Sequence, residues 1–160
     1  MRIPQDGYFE KVPGAPCPLA CTISRRVAFS EVDLMGIVWH GRYAVYFEEA
    51  SAELRRLCGL SHQELFAASL RAPLVRFHVD FHLPLRLDDL ITVRAALVWC
   101  EAARLNIEYA IGGPDGRVAA TGSTVQLFTD AASGETCFAS PELLERCRIR
   151  WKNSEFGHLQ

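Results

Sequence analysis

One stretch of this chain has a helical period, and almost everything after it alternates with a period of two. That contrast limits the fold more than any other feature. Between His40 and Cys58, the residues Ala44, Phe47, Ser51, Leu54 and Cys58 recur at spacings of three and four, with Ala50 and Leu57 flanking them. Glu48, Glu49, Arg55 and Arg56 lie off that stripe, and Gly59 offers a stop. Beyond Pro73, Val75, Phe77, Val79 and Phe81 alternate with Arg76, His78, Asp80 and His82. Ile91 to Trp99 and Leu105 to Ile111 repeat the alternation, and Val118 to Phe128 makes another long strand. Turn signals at Asp88-Asp89 and Gly113-Pro114-Asp115-Gly116 separate them, so the last three strands form a meander. One more strand, Ile23 to Phe29, precedes the helix.

Each strand has one apolar face and the helix has one apolar stripe. The predicted class is therefore α+β: an antiparallel five-stranded sheet wrapped around one long central helix. One sheet face and two edges stay free, which predicts association through an edge or a face. Ser61-His62-Gln63-Glu64 reads as a capping box for a short second helix through Leu70. Ser140-Pro141-Glu142 opens a short third helix, with Pro141 suited to its first position. Residues 1–21, broken by prolines and glycines, read as an irregular N-terminal extension, 22–148 as the domain, and 149–160 as a C-terminal tail.

The chain has 160 residues, 49% of them hydrophobic, which is enough for one domain with a sizeable core. A formal net charge of −2 gives no basic surplus for nucleic acid. No apolar run approaches the length of a membrane span, so no membrane insertion is expected. Six dispersed cysteines behind a polar, proline-bearing start read as reduced thiols in a cytoplasmic protein. Cys17 and Cys21 have no matching second pair, which argues against zinc.

The chemistry concentrates in Asp33-Leu34-Met35-Gly36-Ile37-Val38-Trp39-His40-Gly41-Arg42-Tyr43. An acid on a glycine-containing loop runs into the start of the long helix. A carboxylate there can attack a carbonyl or activate a water, or it can be an ordinary turn aspartate facing the helix dipole. The backbone N–H groups of His40 and Gly41 lack intrahelical partners and can hold an oxyanion. The imidazole of His40 can assist by a hydrogen bond or a proton, or pack on the apolar face. Gly36 permits a tight turn or the close approach of a substrate chain. Trp39 and Tyr43 can wall a pocket or fill core, and core is the commoner fate for such a tryptophan. Glu48 and Glu49 are alternative carboxylates, though helical spacing reads them as a solvated or interface-facing pair. His78, Asp80 and His82 share one strand face and invite a metal reading. No fourth ligand is indicated, and a polar outer face, in contact with another subunit or not, is the better reading.

The loop motif, followed by Tyr43 and Tyr46-Phe47-Glu48-Glu49-Ala50, resembles the 4-hydroxybenzoyl-CoA thioesterase family of hotdog-fold acyl-CoA thioesterases over residues 22–148. Phe81-His82-Leu83-Pro84-Leu85-Arg86-Leu87-Asp88-Asp89 and Phe128-Thr129-Asp130 agree with it in order and spacing. The resemblance implies hydrolysis of an acyl-CoA substrate with no metal or organic cofactor. It also implies a homodimer or homotetramer with sites at the dimer interface. The family's catalytic carboxylate falls on Asp33, and the residue opening its central helix on His40. Glu31, where an aspartate is common, and Arg42, where asparagine is frequent, depart from the pattern. Arg76, Arg94, Arg104 and Arg117 are candidate partners for the CoA phosphates. Two other functions stay open: hydrolysis of a thioester on an acyl carrier protein, and non-catalytic acyl-CoA binding.

Overall fold

The computed structural model describes residues 7–159. Five strands form one antiparallel sheet: β1 (Leu19–Arg26), β3 (Leu74–Phe81), β4 (Leu90–Val98), β5 (Arg104–Gly112) and β6 (Val118–Leu127). Their order is β1-β4-β5-β6-β3. The meander β4-β5-β6 is therefore central, and β1 and β3 are the edges. A two-residue pair, β2 (Leu70–Arg71) with β7 (Thr129–Asp130), stands apart. The long helix α1 (Tyr43–Cys58) lies against the inner face, entered through a 3-10 turn at His40–Arg42. The α+β fold read from the periodicity is the one observed.

The inner faces of the meander are the apolar sets the alternation marks. Ile91, Val93 and Ala95 of β4 are fully buried, as are Ile107 and Ile111 of β5. The helix meets them with Tyr46, Phe47, Ala50 and Leu54. This face is rotated from the predicted stripe, because Tyr43 and Tyr46 are buried while Ala44 is exposed. A tyrosine buries its ring when its hydroxyl has a partner, and the Tyr46 hydroxyl donates to the Glu31 carboxylate at 3.1 Å. Phe47 then stacks flat on Tyr109, with ring centroids 4.2 Å apart and 6° between planes.

Several boundaries differ from the sequence reading. β1 begins at Leu19, inside the expected extension, and ends before Phe29, which opens a 3-10 turn. The short helix α2 (His62–Ala67) carries the capping box as expected: Ser61 Oγ accepts from the Glu64 N–H, and the Ser61 N–H donates back to Glu64 Oε2 at 2.8 Å. It stops three residues before Leu70. Pro141 sits at the N-cap of α3 (Glu142–Lys152) rather than inside it.

The chain beyond 148 is not a tail. α3 runs through it, and Trp151, Phe156 and Leu159 are buried in the core. Trp151 also ties the two ends together, its indole N–H donating to the Cys17 carbonyl at 2.8 Å.

The apolar residues of β3 were expected to face the core. Val79 packs on it, and Phe77 and Phe81 meet Phe47 and Tyr43 of α1, but β3 is an edge strand, and Val75, Phe77 and Phe81 stay about half exposed. Its polar face does form part of the outer sheet surface, but that surface is covered by this chain's own extension. The Tyr8 hydroxyl lies 2.6 Å from Asp80 Oδ2 and 2.7 Å from Thr121 Oγ1. Glu108 accepts the backbone N–H groups of Tyr8 and Phe9. His78 bonds the same Asp80 oxygen at 3.0 Å, and His82 bonds Thr121 at 2.9 Å. The triad that suggested a metal is spent on a polar network holding residues 7–9.

Candidate active site

The Asp33 loop is a small hairpin. Val32 and Val38 pair across it, and the Asp33 N–H donates to the Ile37 carbonyl at 2.9 Å. The tip turns because the Gly36 N–H returns to the Asp33 carbonyl at 2.9 Å and Gly36 takes φ 73°, a conformation that favours glycine. Asp33 Oδ1 accepts the Met35 N–H at 2.8 Å, which fixes the side chain. Its second carboxylate oxygen accepts no hydrogen bond from the described residues.

Glu31 holds the base of the hairpin. It is 7% exposed. Its Oε1 pairs with Arg25 Nη2 at 2.6 Å, and its Oε2 accepts the Ala28 N–H at 2.8 Å and the Tyr46 hydroxyl. Its carbonyl accepts the Trp39 N–H at 2.9 Å. Arg25 also pairs with Glu49 at 2.7 Å and lies over the Tyr46 ring. Sequence reasoning noticed Glu31 only as a departure from a family pattern. Its residue type so near Asp33 gave no sign that it would be buried and bonded on both oxygens.

After Val38 the chain enters the 3-10 turn. The N–H groups of His40 and Gly41 have no acceptor among the described residues, and Arg42 supplies the first return bond, to the Trp39 carbonyl at 2.9 Å. A cavity of about 310 Å³ opens between this turn and the end of β3. Asp33, His40, Tyr43, Phe81, His82 and Pro84 are among the residues that line it. Its walls are largely apolar, and the Tyr43 ring meets Phe81 edge-on at 4.8 Å. Burial pushes the Tyr43 hydroxyl above the ordinary phenol range.

Of the predicted site residues, the cavity brings together Asp33, His40 and Tyr43. Gly36 is at the exposed loop tip, outside the cavity wall. Trp39 also stays outside it, half exposed, with its ring 5.0 Å from His40. There it lies over Gly41, where any Cβ would run into the indole.

Neither alternative carboxylate lines this cavity. Glu49 is ion-paired to Arg25, and Glu48 is exposed beside a different cavity farther along α1. None of Arg76, Arg94, Arg104 and Arg117 reaches the Asp33 cavity, and Arg117 is paired with Asp115 at 2.6 Å. His82 was read only as an outer-face residue, yet it lines the Asp33 cavity. The signal was available in Phe81-His82-Leu83-Pro84, which ends the strand beside the loop.

Among the described residues, no group of three or more His, Cys, Asp or Glu side chains is arranged to hold a metal ion. No described helix is long and apolar enough to cross a membrane.

Comparison with known proteins agrees with this geometry. The chain is 37% identical over 73 residues to a putative esterase of Aquifex aeolicus, covering 46% of this chain and 57% of the relative. It is 29% identical over 72 residues to the acyl-CoA thioester hydrolase YbgC of Escherichia coli, covering 45% and 54%. The chain thus spans about half the length of the curated relatives it matches. The crystal structure of DHNA-CoA thioesterase from Staphylococcus aureus superposes with a TM-score of 0.72 at 20% identity, covering 87% of this chain and 90% of that one. At that identity the likeness concerns the fold. Residues 27–147 match the Thioesterase-like superfamily. With its helix-wrapping sheet and its hairpin acid before the helix, the chain belongs to that superfamily and has the hotdog fold.

Proposed function

We propose that this protein is an acyl-CoA thioesterase, releasing free acid and CoA, with Asp33 as its catalytic carboxylate. The observation that carries the proposal is one cavity bounded by an Asp33 carboxylate and by a helix start whose first two N–H groups are unpaired. A thioester carbonyl seated there meets the two things its hydrolysis requires. The carboxylate takes a proton from water as the water oxygen adds to the carbonyl carbon, or it adds directly and forms an anhydride that water then opens. The negative charge that develops on the carbonyl oxygen falls toward the N–H groups of His40 and Gly41 and the positive end of the helix. The C–S bond then breaks, and the thiolate takes a proton from the His40 imidazole or from solvent. Tyr43 and Phe81 cover the acyl group on its apolar side. Trp39, its ring tilted against His40, and Gly36, at the loop tip, shape the entrance.

The exposed surfaces support a homo-oligomer. β3 is an unpartnered edge with Val75, Phe77 and Phe81 half exposed, and Leu34 and Met35 on the catalytic loop are also exposed. A second copy pairing along β3 would cover these residues and place its own helix start near the first. The outer sheet face is unsuited to that contact, since residues 7–9 already occupy part of it. The six cysteines are free thiols, in keeping with a cytoplasmic setting.

The test is free-thiol release from a panel of acyl-CoA thioesters, run beside the same acyl groups on an acyl carrier protein. Turnover of CoA thioesters is the expected result. Faster turnover on the carrier protein would reassign the substrate. Tight acyl-CoA binding without thiol release would make the protein a binder and not an enzyme.

A further inference from the structure

A second cavity, of about 270 Å³, lies farther along the groove between α1 and β3. Phe47, Ser51 and Arg55 of the helix face Leu74 and Phe77 of the strand, with Tyr109 behind them. Both lie along the same two elements: Tyr43 and Phe81 line the first, and Phe47 and Phe77, one helical turn and four strand residues away, line the second. Arg55 is the wall residue of α1 farthest from Asp33, about 18 Å beyond Tyr43 at the helical rise of 1.5 Å per residue.

Arg55 is 4% exposed. Its Nε donates to the Leu60 carbonyl at 3.0 Å, while its Nη2 is buried without a hydrogen-bond partner among the described residues. No described carboxylate lies within ion-pair distance of it. Glu48, in the same wall, is exposed and forms no ion pair with it, so its charge acts on Arg55 only from a distance. Removing a guanidinium from water without a contacting counter-ion costs several kcal/mol, and arginine does not escape the cost by losing its proton. A fold that keeps such a group beside a cavity has a use for an anion there.

We infer that this cavity takes the far end of the acyl group and that Arg55 selects long acyl chains ending in a carboxylate. The inference rests on the thioesterase reading above. A terminal carboxylate offers the guanidinium fork two oxygens and a balancing charge. The alkyl shaft leading to it matches the rings of Phe47, Phe77 and Tyr109. A CoA phosphate would bring the same charge, but Glu48, exposed in the same wall, disfavours a dianion more than a single carboxylate.

The experiment compares kcat/KM for matched pairs of thioesters, dodecanoyl-CoA against dodecanedioyl-CoA and hexadecanoyl-CoA against hexadecanedioyl-CoA. Wild type should prefer the carboxyl-ended member by about tenfold or more, the worth of one charge-assisted contact. Arg55→Gln should erase that preference while leaving the methyl-ended thioesters within a few-fold of wild type. Arg55→Lys, which keeps the charge, should retain part of it.

Because Arg55 also holds the Leu60 carbonyl, a variant-free measurement accompanies these. Free dodecanedioate should inhibit the wild type more tightly than dodecanoate. No preference in the wild type overturns the inference. So does an equal loss on both members of a pair in folded Arg55→Gln, which would assign Arg55 to CoA or to structure. If no thioester is hydrolysed, it is the thioesterase reading that fails. Calorimetric binding of dodecanedioate, present in wild type and lost in Arg55→Lys or Arg55→Gln, then decides the pocket alone: no binding overturns it.

Discussion

Replacing Glu31 tests how the Asp33 hairpin is held. The carboxylate is buried, pairs with Arg25 at 2.6 Å and satisfies two further donors, the Ala28 N–H and the Tyr46 hydroxyl. Removing one partner of a buried ion pair costs about 3–5 kcal/mol. Here Arg25 is partly exposed and keeps Glu49 at 2.7 Å, so the lower end applies. Glu31→Gln also retains one acceptor oxygen, and the expected loss is about 2–3 kcal/mol. Glu31→Ala orphans both donors, one of them on the fully buried Tyr46, and should cost about 4–5 kcal/mol. Against a total stability of about 5–15 kcal/mol, the alanine variant approaches unfolding, so the glutamine variant is the one to assay for activity.

Urea denaturation followed by far-UV circular dichroism measures both losses, provided the slope with denaturant is unchanged. A cycle with Tyr46→Phe should show a coupling of about 1 kcal/mol between the two positions. Turnover of Glu31→Gln should fall at unchanged global structure, because the Val32–Val38 pair carries Asp33. Losses within about 0.5 kcal/mol of zero, with full turnover, would refute the argument and leave the hairpin held by its own backbone bonds.

Three further outcomes follow from the same geometry. In Gly41→Ala the new methyl must displace the Trp39 ring, so tryptophan emission should shift to the red and KM should change; an unchanged spectrum and KM would mean the indole does not lie over residue 41. The Tyr8 hydroxyl is pushed up to about 12, first by burial and then by Asp80, so docking of residues 7–9 should persist below the ordinary phenol value of 10.0 and weaken as pH rises through about 12. The difference between phenol titrations of wild type and Tyr8→Phe should therefore rise near 12, and a rise near 10 would show Tyr8 to be undocked. At the acid end, Asp80 is held below its ordinary value of 3.8 by the Tyr8 hydroxyl and His78, so its contribution is present above that value and lost as pH falls through the lowered one. Ser61→Ala removes the capping box of α2 and should cost about 1 kcal/mol in the same urea assay, whereas no loss would mean the helix start is held by packing alone.

The central elements were legible because their signals are local. Alternation in Ile91 to Trp99 and Leu105 to Ile111 reports a strand with one buried face, and those are the strands flanked on both sides. The same alternation in β3 misled, because sequence carries no mark of an edge. Val75 and Phe81 look like core residues, but on an edge strand each stays about half exposed, and Phe81 meets α1 only edge-on through Tyr43. Tyr46 entered the core through a hydroxyl partner fifteen residues away, which periodicity cannot supply. Tyr8 and Trp151 are docked by contacts to distant strands or to residues far off in the chain, so residues 7–9 and the segment around Trp151 read as loose when they are docked.

The site divides in the same way. The Asp33 hairpin and the helix start are contiguous in sequence, and their juxtaposition was visible there. His82 and Phe81 reach the cavity only because β3 returns beside the loop. The buried Nη2 of Arg55, without a partner among the described residues, could not be read at all, since its position off the apolar stripe suggested a solvated face.

The most direct measurement is thiol release by Asp33→Asn across the acyl-CoA panel, with circular dichroism and thermal melting as controls. The substitution preserves shape, and its amide oxygen can still accept the Met35 N–H, so the hairpin should stay formed. The catalytic assignment predicts a fold-intact protein whose turnover falls by about 10²–10⁴ on every thioester. Turnover near that of wild type in a folded Asp33→Asn protein would contradict it.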